Sequence, residues 1–290
     1  MSLTPDSIPS LPLLTVYHIS TLLGELPIEG RLHLDFLSVF YNIWKNPDTT
    51  IFRVVRYIIK MAGDRSSTWS AHLRSMCLTY GLPNPLELLE SGEAWEKSKW
   101  SAFTKTHVTI HFENKLRTEA ELNSKMEYFN VQVFGLSGSP HPALMGIFNV
   151  QEIHKLRFHI KFLCGDVLTA ERQSRYNGSD PMCKLCQAPT ESTAHALTSC
   201  RATADVRDRM LPELLNTVAW VQPCCSILES YEQPWVLTQF ILDCTSLNLP
   251  DSYRVPSHNP NVGKIFALSR NWCYAIGKSR ARLLLQLGPK

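Results

Sequence analysis

The stretch Met182–Cys200, MCKLCQAPTESTAHALTSC, contains four residues of the types that bind a soft divalent metal. Cys183 and Cys186 are separated by two residues, and His195 and Cys200 follow in the spacing C-x2-C-x8-H-x4-C. Two cysteines at this distance form a tight turn that directs both sulfur atoms to one point, and the later pair closes a tetrahedron around one cation. All four positions are then filled by protein, so the stretch predicts a structural Zn²⁺ site with no open position for water or substrate.

The residues between the ligands favour the same geometry. Pro189 and Thr190 indicate a turn, after which Thr190 or Ser192 caps a short helix over 194–199 with Leu197 on its inner face. The alternative is that the three cysteines and the histidine lie in or near a core without metal, because free cysteine is a common buried residue. Four ligand-type residues within one short stretch favour the metal.

Composition describes an ordinary globular protein. The 290 residues are 44% hydrophobic and 19% charged, and a net charge of +3 excludes a general polybasic attraction to nucleic acid. The positive charge is unevenly distributed, however: residues 252–290 contain Lys and Arg but no Asp or Glu. The sequence predicts no signal peptide and no membrane-spanning helix. Nine cysteines, an odd number, suit a reducing interior, so we expect an intracellular protein of the nucleus or cytoplasm that is not bound to a membrane.

Apolar residues recur at helical spacing along the chain, and no period-2 alternation competes with them. The predicted fold class is therefore all-α. We expect a helical array over 1–133, a linker over 134–143 with the Gly/Ser/Pro-rich sequence FGLSGSPHPA, and a zinc-binding helical domain over 144–290 with the knuckle at 183–200. The first half includes a helix over 28–44 and a polar helix over 93–116 that is interrupted near 108–110.

In the second half, an amphipathic helix over 150–164 is predicted to bury one apolar stripe, which consists of Ile153, Leu156, Ile160 and Leu163. A short basic helix over 168–175 precedes the metal stretch, and a long final helix over 262–287 ends the pattern. His107 and His111 are four residues apart, which is a metal-ligand spacing. No acid stands near them in a zincin arrangement, so a solvated or packed pair is the better interpretation.

The order of these parts is informative. A basic helix precedes KFLCGDVLTAERQSRYNGSDPMCKLC, and ESTAHALTSC and the charged RATADVRDRMLPELL follow. This order resembles the C-terminal region of non-LTR retrotransposon reverse transcriptases, in which a helical pair precedes a zinc knuckle (the reverse-transcriptase zinc-binding CCHC domain). LLGELPIEGRLHLDFLSVFYNI resembles the helices after the polymerase thumb, and FILDCTSLNLP and RLLLQL resemble the terminus of such proteins. The resemblance covers most of the chain and implies a domain that grips template RNA or target DNA beside a polymerase.

The chain also departs from that family. The polymerase core carries a paired-Asp motif, whereas this sequence contains no Asp-Asp dipeptide. Some relatives carry a nuclease after the knuckle, but Pro250-Asp251 is followed by no further acid, and a two-metal nuclease needs several converging carboxylates. No Ser-His-Asp arrangement and no phosphate-cradling glycine loop is found. We therefore expect a non-enzymatic piece that lacks the polymerase core.

The expected function is a zinc-stabilised nucleic-acid-binding module for RNA and/or DNA. The basic residues expected to contact phosphates are Lys155, Arg157, Lys161, Arg172, Arg175, Lys184 and Arg201. Each of them alone also fits a solvated helix face. No aromatic residue lies between Cys183 and Cys200, which favours backbone-directed binding over base stacking in the knuckle. The alternative is a helical interaction or scaffold module in which zinc only stabilises the fold and the N-terminal array binds a protein partner.

Overall fold

The computed structural model describes residues 20, 22–61, 68–122, 127–129, 136, 138–147, 149–221, 233–246 and 260–288. Every regular element within these ranges is helical, which confirms the all-α class. No helix in the same ranges is both long and apolar enough to cross a membrane.

Contacts divide the chain into two compact units. We call residues 24–118 and 136–138 the N-terminal unit, and residues 1–23, 119–135 and 139–290 the metal-bearing unit. The predicted division at a linker over 134–143 stays a prediction, because residues 134, 135 and 137 lie outside the described ranges.

Five helices begin among the described residues of the N-terminal unit. They are α1 (Ile28–Trp44), α2 (Thr50–Met61), α3 (Trp69–Thr79), α4 (Pro85–Ser91) and α5 (Lys97–Leu122). Side chains of the preceding residues cap three of them: Thr49 accepts from the N–H of Phe52 in α2, Thr68 from that of Ala71 in α3, and Asn84 from that of Leu86 in α4. The predicted interruption near 108–110 is wrong. Helix α5 is continuous there because Val108 and Phe112, one turn apart, are both buried, and their packing outweighs the weaker helix propensity of β-branched residues.

Aromatic packing forms the core of the N-terminal unit. The Trp44 and Trp100 rings meet edge to face at 5.5 Å, and the indole N–H of Trp100 donates to the carbonyl of Leu37 in α1. Gly30 allows α1 to approach α5 closely, since a Cβ atom there would lie 2.8 Å from the ring of Phe112. Trp44 and Trp100 are therefore buried within this unit.

Further helices lie in the described part of the metal-bearing unit. They are α6 (Val150–Leu163), α7 (Ala170–Asn177), a π-helical turn (His195–Ser199), α8 (Ala204–Val221), α9 (Pro234–Asp243) and α10 (Pro260–Gln286), with short 3₁₀ turns at Pro142–Leu144, Arg201–Thr203 and Cys244–Ser246. Helix α10 packs along both α6 and α8 and carries the centre of the core. Phe266, Trp272 and Ile276 of α10 are fully buried.

The predicted apolar stripe of α6 is only partly correct. Leu163 is buried, but Ile153 is exposed, and His159 and Phe162 are buried instead. His159 is buried because its Nε2 donates to the carbonyl of Leu242, 2.8 Å away in α9, and its ring stacks on Phe266. Hydrophobic periodicity treats histidine as polar, so it leaves His159 out of the predicted buried stripe.

Candidate metal centre

The four predicted ligands lie together. The donor atoms of Cys183, Cys186, His195 and Cys200 are all within 4.8 Å of one another, and they form the one such Cys/His/acid group of three or more among the described residues. The sulfur atoms of Cys183 and Cys200 are 3.9 Å apart, and the Cys186 sulfur is 3.3 Å from Nε2 of His195. A tetrahedral zinc site with Zn–S bonds of about 2.3 Å predicts about 3.8 Å between sulfurs and about 3.6 Å from sulfur to nitrogen. The group can therefore hold a metal ion, and it presents Nε2 of His195 as the nitrogen donor.

The first two ligands lie on a tight backbone turn. The N–H of Cys183 donates to the carbonyl of Ala188 at 2.9 Å, and the N–H of Gln187 donates back to the carbonyl of Cys183 at 2.8 Å. Gln187 adopts a left-handed conformation, with φ of 63°, and it is the one non-glycine residue with positive φ in the described part of the chain. Glutamine has no special preference for this conformation, so the surrounding hydrogen bonds hold the strained turn in place.

The second two ligands lie at the ends of the π-helical turn. The hydroxyl of Ser192 accepts from the N–H of His195 at 3.0 Å, so of the two predicted caps Ser192 is the one that the structure uses. Leu197 is buried as predicted, and its carbonyl accepts from the indole N–H of Trp272 at 3.1 Å. The turn is wider than the predicted α-helix, and it is held against α10 by this bond.

Backbone N–H groups point at the sulfur atoms. Cys183 accepts from the amides of Cys186 and Leu185, Cys186 from those of Ala188 and Arg201, and Cys200 from that of Ala202. Hydrogen bonds of this kind favour a thiolate, which is the form that binds metal.

Burial acts against ionisation in the metal-free protein. It raises the pKa of the Cys183 thiol to about 12 and also raises the pKa of Cys200. At Cys186 burial acts in the same direction, but the hydrogen bond from Ala188 and the neighbouring thiols outweigh it and lower the pKa. Burial also lowers the pKa of His195, which keeps the imidazole neutral and able to bind a metal. Metal binding must therefore displace protons from buried thiols, so its affinity falls on acidification.

A buried ion pair connects the metal loop to two helices. Glu191 lies within the loop, and its Oε1 is 3.5 Å from the Cys183 sulfur and 2.8 Å from Nη2 of Arg280 in α10. Its Oε2 accepts from the N–H of Ala170, the first residue of α7, at 2.7 Å. The side chains of Glu191 and Arg280 are only 4% and 11% exposed. One carboxylate thus joins a metal ligand, the start of α7 and the final helix.

Sequence reasoning missed this pair. Arg280 is one of five cations on α10, and nothing local distinguishes it from its neighbours Lys278 and Arg282, which are exposed. The sequence does distinguish Glu191, because it is the one acidic residue between the ligands Cys186 and His195.

The predicted phosphate-contacting residues fall into two groups. Three form ion pairs within the protein: Lys155 with Glu152 at 2.8 Å, Arg172 with Asp166 at 3.5 Å, and Arg175 with Glu171 at 2.6 Å. The other four are exposed and form no ion pair with any described residue, and they are Arg157, Lys161, Lys184 and Arg201. His107 and His111 do not form a metal site together, since His107 faces the carbonyl of Phe103 and His111 packs on Tyr80.

Comparisons with known proteins give no match, whether to a family model, a curated protein or a solved structure. The class of this protein rests on its fold and its site: it is an all-α chain with a Cys/Cys/His/Cys group that can hold a metal ion.

Proposed function

We propose that this protein is a zinc-stabilised nucleic-acid-binding module, related to the C-terminal region of a non-LTR retrotransposon reverse transcriptase and without a catalytic core of its own. The observation that supports it best is the position of Lys184 and Arg201. Each directly follows a metal ligand, Cys183 or Cys200, and each is exposed without an acidic partner among the described residues. A metal that orders the loop therefore also orders these two cations.

Zinc is the metal that this donor set favours. Thiolate and imidazole ligands in tetrahedral array select Zn²⁺, and four protein ligands leave it no position for a substrate. The ion would then contribute folding energy to the loop rather than chemistry. A reducing compartment, the nucleus or cytoplasm, would keep the thiols available to it, and the seven cysteines within the described ranges are all free.

Phosphates of RNA or DNA are the expected targets of the exposed cations. With about four contacts to a single strand, affinity should fall with a slope of about −3 against log salt, or roughly 50-fold between about 50 and 200 mM salt. Lys155, Arg172 and Arg175 are already neutralised by carboxylates, so we expect smaller contributions from them.

The test combines zinc content with binding of single-stranded RNA. We expect one zinc per chain and salt-sensitive binding. Replacing Arg157, Lys161, Lys184 and Arg201 by Gln should remove most of the salt dependence, because each lost contact lowers the slope by about 0.7. The matched control replaces two exposed arginines and two exposed lysines of the N-terminal unit, namely Arg53, Arg117, Lys60 and Lys105. Equal slopes for the two quadruple variants would refute the assignment of the surface.

A second candidate function rests on an exposed apolar stripe of α2. Ile51, Val54, Ile58 and Met61 follow one another at helical spacing, and each is more than 40% exposed. Such a stripe is typical of a helix that binds a partner protein. One zinc per chain with no RNA binding at any salt concentration would favour this interaction module over the nucleic-acid-binding module.

A further inference from the structure

A cavity of about 500 Å³ lies beside the metal loop within the metal-bearing unit. One wall is formed by Ser192–Ala194, the segment that immediately precedes the ligand His195. Helix α7 forms a second wall, and the start of α9 and the turn at 127–128 complete the cavity. Its volume is within the range of small-molecule sites and exceeds that of a single nucleobase. The wall at Ser192–Ala194 places the cavity directly beside the candidate metal centre.

Two exposed aromatic rings line this cavity. Tyr176 in α7 is 67% exposed, and Trp235 in α9 is 60% exposed, so neither ring is used by the core. Accessible aromatic rings offer faces on which the bases of a single strand can stack. The knuckle itself offers no aromatic residue between Cys183 and Cys200. The tertiary structure thus supplies, from α7 and α9, the stacking surfaces that the metal loop lacks.

The polar lining favours a base over a phosphate. Glu127 and Glu171 lie in the cavity together with Arg172 and Arg175, so the two charges of each sign cancel. Carboxylates repel a phosphate but accept hydrogen bonds from the N–H groups of a base. The guanidinium of Arg172 lines the cavity and is held there by Asp166, whose Oδ1 is 3.5 Å from its Nη2.

We propose that this cavity binds one unpaired guanine of a single-stranded nucleic acid, stacked on Tyr176 and Trp235. Guanine presents two adjacent donors, N1–H and N2–H₂, to a carboxylate, and the acceptors O6 and N7 to a guanidinium. This inference rests on the proposed function and adds a base preference to it.

The experiment compares two single-stranded RNAs of about 12 nucleotides, one of uridine only and one with a single central guanine. Zinc-loaded protein should bind the guanine-containing strand more tightly. Trp235→Ala and Tyr176→Ala should each weaken that complex by roughly 5- to 150-fold and leave the salt slope unchanged, because stacking displaces no counterions. Inosine in place of guanine should weaken it as well, since inosine lacks the 2-amino donor.

Matched controls come from the N-terminal unit. Tyr57 is 64% exposed and Trp69 is 36% exposed, and neither lines the cavity, so Tyr57→Ala and Trp69→Ala serve as controls. Zinc content and thermal unfolding of all four variants show whether each one is folded. Because Tyr176 and Trp235 are on the surface, we expect these properties to be unchanged.

The outcomes separate the two proposals. Two results would overturn the guanine site and leave the proposed function intact. The first is salt-sensitive RNA binding whose affinity in Trp235→Ala and Tyr176→Ala equals that of the control variants. The second is an equal affinity of the protein for the two RNAs. If no RNA binds, the proposed function fails. Titration with guanosine monophosphate then shows whether the cavity binds guanine. Binding of that nucleotide that is lost in Trp235→Ala would support the cavity as a guanine site, and no binding would overturn it.

Discussion

Glu191→Leu removes the carboxylate that joins the metal loop to α7 and α10, while it keeps a side chain of similar volume. The variant leaves the guanidinium of Arg280 buried without its counter-charge, and it leaves the N–H of Ala170 without its acceptor. Breaking a buried ion pair in this way costs about 3–5 kcal/mol. For a unit of this size each kcal/mol corresponds to roughly 2–4 °C, so the unfolding midpoint should fall by about 6–20 °C.

A double-mutant cycle isolates the pair. Arg280→Met alone should also destabilise the protein, because it leaves the Glu191 carboxylate buried and unpaired. The double variant Glu191→Leu, Arg280→Met should lose much less unfolding free energy than the two single variants lose together, since no buried charge remains. The N–H of Ala170 still lacks its acceptor, so the double variant should stay about 1 kcal/mol below the wild type.

The assay is denaturant unfolding of zinc-saturated protein, followed by near-ultraviolet circular dichroism. The exposed pair Asp205–Arg209, with both side chains 74% exposed, provides the control, and Asp205→Asn should change stability by no more than about 0.5 kcal/mol. Additive losses in the cycle, or a loss below about 1 kcal/mol in Glu191→Leu, would refute the argument that this carboxylate couples the loop to the helices.

Three further predictions concern the same unit. Cys183→Ser should lose the metal and open the 165–210 region while the helices of the N-terminal unit stay formed, as metal analysis and hydrogen exchange will show; unchanged metal content and thermal stability would remove the zinc assignment. Burial lowers the pKa of His159 to about 4 from an ordinary value of 6.5, so its contribution to stability is complete above pH 6.5 and is lost as the pH falls toward 4. The loss should reach about 3 kcal/mol in urea unfolding, and His159→Leu should show a correspondingly flatter pH dependence. Gly277→Ala should destabilise the protein by about 1–3 kcal/mol, because a Cβ atom there would lie 2.7 Å from Cε1 of Phe158. Gly263→Ala in the same helix meets no atom within 4 Å and should stabilise the protein by about 0.5–1 kcal/mol. Equal thermal unfolding midpoints for these two variants would contradict the packing argument.

Much of the metal centre could be predicted because its information is local. The ligands are contained in one stretch of 183–200, and the hydrogen bonds that shape it also join near neighbours, such as Cys183 with Ala188 and Ser192 with His195. The all-α class follows from the 3.6-residue periodicity for the same reason. Helix α1 has the predicted bounds, 28–44, since Pro27 precedes it and an Asn-Pro pair lies just beyond its end.

Long-range contacts decided which polar and charged side chains are buried. Glu191 and Arg280 are 89 residues apart, and His159 finds its acceptor, the carbonyl of Leu242, 83 residues away. Whether a charged or polar side chain is buried depends on a partner that folding brings to it, because burial without one is too costly. Helical periodicity cannot show such a partner. For the same reason only the packed structure places Tyr176 and Trp235 around one cavity beside a loop that has no aromatic residue of its own.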